Sequence, residues 1–263
     1  MNLIEIKDMN YLNVFHDFNL NIKKNQLTSL AGPNNCGKTT LIRILSRQIN
    51  TDAKITVMGR NINEYKKNDY YKIVKCIIPM EEMFIHDTLE DEINYYIDQL
   101  FLSKEEKNKR ISNIYKNLGI NKIKKKNIDE LKQAQFVLIQ IALSIASMPK
   151  IILIDDLSTI LNHTEMLKIV SYFKYLIKEY DITIILNSIR LEDIIECDYL
   201  YILSDSNVVI EGRPIEVLEK DNLLNKSGIR LPFMVDLSVK LRDYDLIDDV
   251  ELDMDRMIDT LWN

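Results

Sequence analysis

Glycine is scarce in this chain, with only six in 263 residues, so any place where two of them fall close together stands out. Cysteine is scarcer still. Cys36, Cys76 and Cys197 are isolated and odd in number, which excludes a paired disulfide framework, offers no zinc-ligand spacing and suits a reducing compartment. No stretch approaches the roughly 20 uninterrupted apolar residues of a membrane-spanning helix. The opening MNLIEIKDMN has no basic region followed by an apolar core, so the sequence predicts a soluble globular protein that stays in the cytosol. Internal repeats and low-complexity linkers are absent as well. What is present is apolar content of 46%, enough for one large domain or for a domain with an appendage.

Charge is unevenly spread. The formal net charge of −6 argues against nucleic acid as a partner. One basic region runs from Lys104 through Arg110 to Lys126 and ends in Lys124, Lys125 and Lys126. It reads as a solvated helical face, the alternative being a docking surface for an acidic partner or lipid headgroups. The tail is the opposite, crowding Asp243, Asp245, Asp248, Asp249, Glu251, Asp253 and Asp255 together.

Two of the six glycines sit in residues 32–39, GPNNCGKT, which fit the phosphate-loop pattern GxxxxGK[ST] without departure. In such a loop the backbone of Gly32, Pro33, Asn34, Asn35, Cys36 and Gly37 folds around phosphates. Its N–H groups and the start of the following helix, through Thr40, point at negative charge. Lys38 would reach the β- and γ-phosphates, and the Thr39 hydroxyl would bind Mg²⁺. Cys36 reads as a small filler. The context agrees, because residues 27–31 form a short apolar strand ending at the loop and residues 40–45 continue with helical apolar spacing.

Residues 3–6 and 18–22 alternate apolar with polar side chains, as half-buried strands do. From Thr88 to about Leu118 the pattern turns helical and charged, with no glycine until Gly119. Residues 135–148 read as a helix stopped by Pro149, followed by the apolar strand 151–154 that ends in Asp155 and Asp156. A helix over 165–178 and a strand over 182–186 complete a parallel unit. Residues 199–203 and 208–210 flank a hairpin turn, and from about Asp221 the chain reads as a helical appendage. An aspartate closing a buried strand downstream of a phosphate loop has a defined use: Asp155 would hold Mg²⁺ opposite the Thr39 hydroxyl. Asp156 stands where a carboxylate could orient an attacking water.

These features, in this order, resemble the ATP-binding cassette (ABC) ATPases over nearly the whole chain. In that family a signature LSGGQ opens a helix, a proline follows it, and a strand like ILLLDEPT comes next. Here residues 131–135, LKQAQ, hold the signature position, Pro149 follows, and residues 151–158, IILIDDLS, correspond to the magnesium strand. The tail, with 228–235 (GIRLPFMV), 237–241, 251–255, Leu261 and Trp262, is similar to the C-terminal extension of energy-coupling factor ATPases. Its plainer reading is an amphipathic dimerisation helix.

The resemblance implies an α/β P-loop NTPase core of mostly parallel sheet, with an antiparallel β subdomain, a helical insertion at about 88–130 and a small helical C-terminal extension. It implies an ABC nucleotide-binding domain over 1–220 and a dimerisation or regulatory region over 221–263. It implies ATP and Mg²⁺ as ligands, with Tyr11, or failing that Phe15, stacking on adenine. The implied partners are a second ABC ATPase subunit in a heterodimer or homodimer, a transmembrane coupling subunit and a substrate-binding membrane subunit. The implied place is the cytoplasmic face of the cell membrane.

The chain departs from the family pattern where hydrolysis is driven. No glutamine occurs between Gln48 and Gln99, and Ile78 and Pro79 stand where the family has its coupling glutamine. The switch histidine is replaced by Ser188 or Ile189. The catalytic glutamate is shortened to Asp156, and the signature serine and glycines are Lys132, Gln133 and Ala134. The resemblance therefore implies the ATP-binding subunit of an energy-coupling factor importer for a vitamin or metal ion, whose nucleotide binding outlasts its turnover, the alternatives being a subunit that binds without hydrolysing and the ATPase of another ABC transporter.

Overall fold

The computed structural model describes residues 2–81, 84–251 and 254–262; Asp253 of the acidic tail lies outside them. Ten strands are present among these residues: β1 (Asn2–Tyr11), β2 (Phe15–Lys23), β3 (Leu27–Ala31), β4 (Lys54–Val57), β5 (Arg60–Asn61), β6 (Val74–Ile77), β7 (Ile151–Ile154), β8 (Thr183–Asn187), β9 (Tyr199–Ser204) and β10 (Asn207–Gly212). They form two sheets. A four-stranded antiparallel sheet has the order β2-β1-β4-β5, and a six-stranded sheet has the order β10-β9-β3-β8-β7-β6. In the second sheet β9, β3, β8, β7 and β6 pair in parallel, and only β10 is antiparallel.

The central strands β3, β7 and β8 are buried along their full lengths, which explains their near-continuous apolar sequence. Their side chains divide by parity between two cores. Ile152, Ile154, Ile184 and Leu186 face the helices, whereas Ile151, Leu153, Ile185 and Leu30 pack with the helix Lys38–Leu45 and the antiparallel sheet. The half-buried alternation of the first two strands holds, and both extend further than the sequence suggests. Residues 50–77 carry no clear periodicity, yet β4 completes the antiparallel sheet by pairing with β1, and β6 adds an edge to the parallel one.

Local signals set the helix ends. The helical insertion splits into Leu89–Asp98 and Lys104–Leu118. Thr88 caps the first by accepting from the Asp91 N–H, and Ser103 caps the second with a reciprocal Glu106 contact, the capping-box arrangement. Gly119 ends the second helix at φ 67°, a conformation glycine enters without a Cβ penalty. Asn162 and Glu165 form the same reciprocal cap at the start of His163–Tyr180. Asp205 and Ser206, both at positive φ, turn β9 into β10 in the manner of a two-residue hairpin.

Beyond residue 220 the chain forms the helices Asp221–Lys226, Phe233–Asp243 and Met254–Trp262. Leu224, Ile229, Val235 and Val239 from this segment join the core beneath the parallel sheet, so the appendage is packed on the body. No helix among the described residues is long and apolar enough to cross a membrane. Phe173 is fully buried in the helix-side core, whereas Phe101 is 97% exposed in the turn between the insertion helices. Urea unfolding followed by circular dichroism should show Phe173→Ala losing about 3–5 kcal/mol and Phe101→Ala changing stability by less than about 0.5 kcal/mol.

Candidate phosphate and metal site

Strand register builds the site. Ile154 of β7 pairs with Leu186 of β8, so the next residue on each strand, Asp155 and Asn187, emerges beside the other. Asn187 also pairs with Leu30 of β3, the strand that runs into the loop at Gly32. Parity puts Asp155 and Asn187 on the face that carries the helix Lys38–Leu45. Three strand ends and one helix start therefore meet at a single point.

The loop needs both of its glycines for steric reasons. A Cβ at Gly32 would lie 2.2 Å from the Leu203 carbonyl oxygen of β9, and one at Gly37, where φ is 103°, would lie 2.7 Å from the Phe15 ring. Lys38 is buried. Its Nζ donates to the carbonyl oxygens of Gly32 at 2.8 Å and Pro33 at 2.9 Å and lies 3.6 Å from Cys36 Sγ. These acceptors compensate an ammonium that would otherwise be costly to bury.

The Thr39 hydroxyl donates to Asp155 Oδ1 at 3.1 Å, and Asn187 Nδ2 donates to the same oxygen. Asp155 is buried, and its own N–H bonds the Ile77 carbonyl at 2.9 Å. Asp156 is tied differently. Its Oδ1 accepts from the Ser158 N–H at 3.0 Å and from the Ser158 hydroxyl, while its Oδ2 has no hydrogen-bond partner among the described residues.

These groups surround a cavity of about 540 Å³, lined by Asn34, Asn35, Gly37, Lys38, Thr39 and Thr40 from the loop and by Asp156, Asn187 and Ile189 from the strand ends, with Val14 completing the wall. A helix start, a lysine ammonium and loop amides make the cavity a place for phosphate oxygens. The adjacent Thr39 hydroxyl and Asp155 carboxylate are two hard oxygen donors. That set suits Mg²⁺, which takes one or two protein ligands and fills its octahedron with phosphate oxygens and water.

Of the residues singled out in the sequence, the loop, Asp155 and Asp156 converge here. Tyr11 is not part of the cavity wall, and Phe15 is fully buried against Gly37, which removes it as a stacking surface. Of Ser188 and Ile189, the isoleucine lines the cavity; Ser188 is buried with its N–H on the Leu30 carbonyl at 3.1 Å. Lys132 and Gln133 are exposed at the start of the helix Gln133–Ala146, outside this cavity. His163 faces elsewhere, with Nδ1 2.8 Å from Asp193 Oδ1.

Two residues escaped the sequence reading. Asn187 was signalled by a strand ending in a single polar residue, as in the strand that ends at Asp155. Gln140 is buried between Ile139 and Ile141 on the helix Gln133–Ala146. Its Nε2 donates to the Ile78 carbonyl at 3.2 Å and its Oε1 accepts from the Met80 N–H at 3.4 Å, so it grips the backbone where Ile78 and Pro79 stand.

The chain is similar to known proteins in sequence and in fold. Residues 15–159 match the protein family described as ABC transporter. The chain is 26% identical over 263 aligned residues to the energy-coupling factor transporter ATP-binding protein EcfA of Pediococcus pentosaceus, covering 97% of this chain and 94% of that protein. It is 25% identical over 240 residues to EcfA1 of Ligilactobacillus salivarius, with 88% and 85% covered. Its fold is similar to that of CbiO1 from Clostridium perfringens, described as part of the ABC transporter complex CbiONQ, with a TM-score of 0.74 at 22% identity over 92% of this chain and 99% of that one. It is also similar to a dimeric ATP-binding cassette in a post-hydrolysis state bound to ADP and Pi, with a TM-score of 0.69 at 19% identity, covering 80% and 98%.

Gly32→Ala and Gly37→Ala should each lower unfolding stability by about 2–6 kcal/mol, because overpacking and backbone strain add. Gly59→Ala, whose Cβ meets nothing within 4 Å, should lose only the ~1–2 kcal/mol of its positive φ; denaturant titration ranks the three. Burial pushes the Cys76 thiol up to about 12 and the Cys197 thiol up to about 11, so both remain thiols at pH 8. Iodoacetamide at that pH, read by peptide mass spectrometry, should label Cys36 and leave Cys76 and Cys197 unmodified until the chain is unfolded.

Proposed function

The chain belongs to the ABC transporter family, and we propose that it is the ATP-binding subunit of an energy-coupling factor importer for a vitamin or metal ion. The observation that carries this reading is the meeting of Thr39 and Asp155 at 3.1 Å beside the buried Lys38. Under it the backbone of Gly32, Pro33, Asn34, Asn35, Cys36 and Gly37 and the helix start at Thr40 enclose the phosphates. Lys38 turns to the β- and γ-phosphates, and Thr39 and Asp155 hold Mg²⁺. The adenine lies toward the β1–β2 end, where Val14 lines the wall and Tyr11 is the neighbouring aromatic side chain.

The same reading assigns residues 1–220 to nucleotide binding and 221–263 to dimerisation or regulation. The likeness to an EcfA protein over 97% of the chain, which takes in the tail, favours the importer over another ABC transporter. A second ATPase subunit would close over the nucleotide and a transmembrane coupling subunit would take up the motion. A separate membrane subunit would select the substrate, with the whole held at the cytoplasmic face of the membrane.

A second reading, that the chain holds ATP without hydrolysing it, is favoured by the side chains around the cavity. Ile189 offers no hydrogen bond to a γ-phosphate. Asp156 is one methylene shorter than glutamate and has one oxygen committed to Ser158. Displacing a reacting group by on the order of 1 Å can cost ~10²-fold in rate. The signature position lacks the glycines that allow close backbone approach, and a flexible lysine is a poor replacement for fixed donors.

Calorimetric titration should show Lys38→Ala weakening ATP binding on the order of 10- to 100-fold, the worth of a charged hydrogen bond; an unchanged affinity would remove the nucleotide reading. ATPase assays of the chain alone and with its partner separate the two functional readings. Turnover abolished by Asp156→Asn, and not by mutation of the partner's acid, would defeat the non-hydrolysing one. Affinity purification from membranes should recover a polytopic membrane subunit, and its absence would point away from an importer.

A further inference from the structure

Asn187 carries a buried acceptor that phosphate binding does not use. The side chain is 2% exposed, closes the strand between β3 and β7, and lines the cavity. Its orientation follows from chemistry: the atom against Asp155 Oδ1 is the Nδ2 donor, because a carboxylate oxygen repels a second acceptor. The amide oxygen is the other branch of the same planar group. Asn187 Oδ1 and Asp156 Oδ2 both lack a hydrogen-bond partner among the described residues, and both belong to residues on the same cavity wall.

Buried acceptors of this kind are normally matched by donors. Phosphate oxygens are acceptors too and cannot supply the missing hydrogens. Lys38 Nζ is engaged with Gly32 and Pro33, and the Thr39 hydroxyl with Asp155. Water on a divalent cation is a donor that fits, since Mg²⁺ keeps several of its waters when held by few protein ligands.

We propose that Asn187 is a positioning residue for hydrated Mg²⁺: its Nδ2 holds Asp155 beside Thr39, and its Oδ1, with Asp156 Oδ2, accepts hydrogen bonds from the ion's water. The proposal rests on the Mg-ATP reading above. It makes Asn187 a contributor to metal affinity that needs no turnover to be seen. Groups that orient a metal ligand in this way contribute about 10- to 100-fold to metal affinity.

The test compares Asn187→Val with Asn187→Thr, two β-branched side chains of nearly equal size, of which only threonine can donate and accept. ATP affinity is measured by calorimetry in EDTA and in Mg²⁺, and the ratio gives the metal's contribution. The expected result is that Asn187→Val loses about tenfold of the Mg²⁺ gain and Asn187→Thr loses about threefold or less, with EDTA affinity unchanged in both. A full Mg²⁺ gain in Asn187→Val, or identical behaviour of the two variants, overturns the proposal. Loss of affinity in EDTA by both assigns Asn187 to the fold and overturns it as well. A wild-type chain that binds no ATP in either buffer overturns the Mg-ATP reading and the proposal with it; a wild-type chain that binds ATP with no Mg²⁺ gain overturns the proposal and the metal part of that reading, whereas a full Mg²⁺ gain in Asn187→Val overturns the proposal alone.

Discussion

Ile154 faces Leu186 across β7 and β8, and Leu30 faces Asn187 across β3 and β8; through these pairings the end of the phosphate-loop strand, Asp155 and Asn187 arrive together. A one-residue slip of β7 would turn Asp155 to the helix-side core and bring Ile154 to the cavity. What opposes it is the cost of burying a carboxylate without partners. Ile151 and Leu153 fill one core and Ile152 and Ile154 the other, so both faces of β7 are apolar, and it is Asp155, which a slip would drive into the helix-side core, that fixes the register and with it the site. Folding and ligand binding depend on the same set of strand contacts.

The site built on this register is uneven in quality. Under the proposed reading its binding half is complete, with two sterically required glycines, a buried lysine and a hydroxyl against a carboxylate. The half that would act on a γ-phosphate has Ile189 on the wall and Asp156 partly committed to Ser158. Gln140 shows the same substitution of structure for chemistry. In place of a side chain extending from Ile78 or Pro79 into the site, a buried amide from a neighbouring helix fastens that backbone. Binding tolerates such changes because it rests on fixed backbone and charge, whereas rate depends on groups aligned with the reacting atoms.

Much of this was legible in the sequence, for identifiable reasons. The strands β3, β7 and β8 are buried on both faces and read as continuous apolar runs; the caps at Thr88, Ser103 and Asn162 emerged only with the structure. The phosphate loop was read from its spacing and Asp155 from its place at the end of an apolar strand. Strands β4 and β6 were not legible because each is only four residues long, too short for a period to register, and their places in the sheets depend on the distant strands β1 and β7. Tyr11 was read ahead of Phe15 as the side chain that stacks on adenine, and burial of Phe15 beside Gly37 removes the second of them. Asn187 was visible as a polar residue closing an apolar strand, but its role depends on which strands flank it, and the order β3-β8-β7 is a property of the fold.

The central claim is that the cavity keeps a nucleotide far better than it consumes one. The most direct measurement is to load the purified chain with Mg-ATP, incubate it at 25 °C, release the bound nucleotide with acid and identify it by chromatography. The account predicts one nucleotide per chain, recovered as intact ATP after an incubation in which an active cassette ATPase would have converted its own. Stoichiometric ADP in the released pool, with phosphate accumulating over many turnovers, would contradict it.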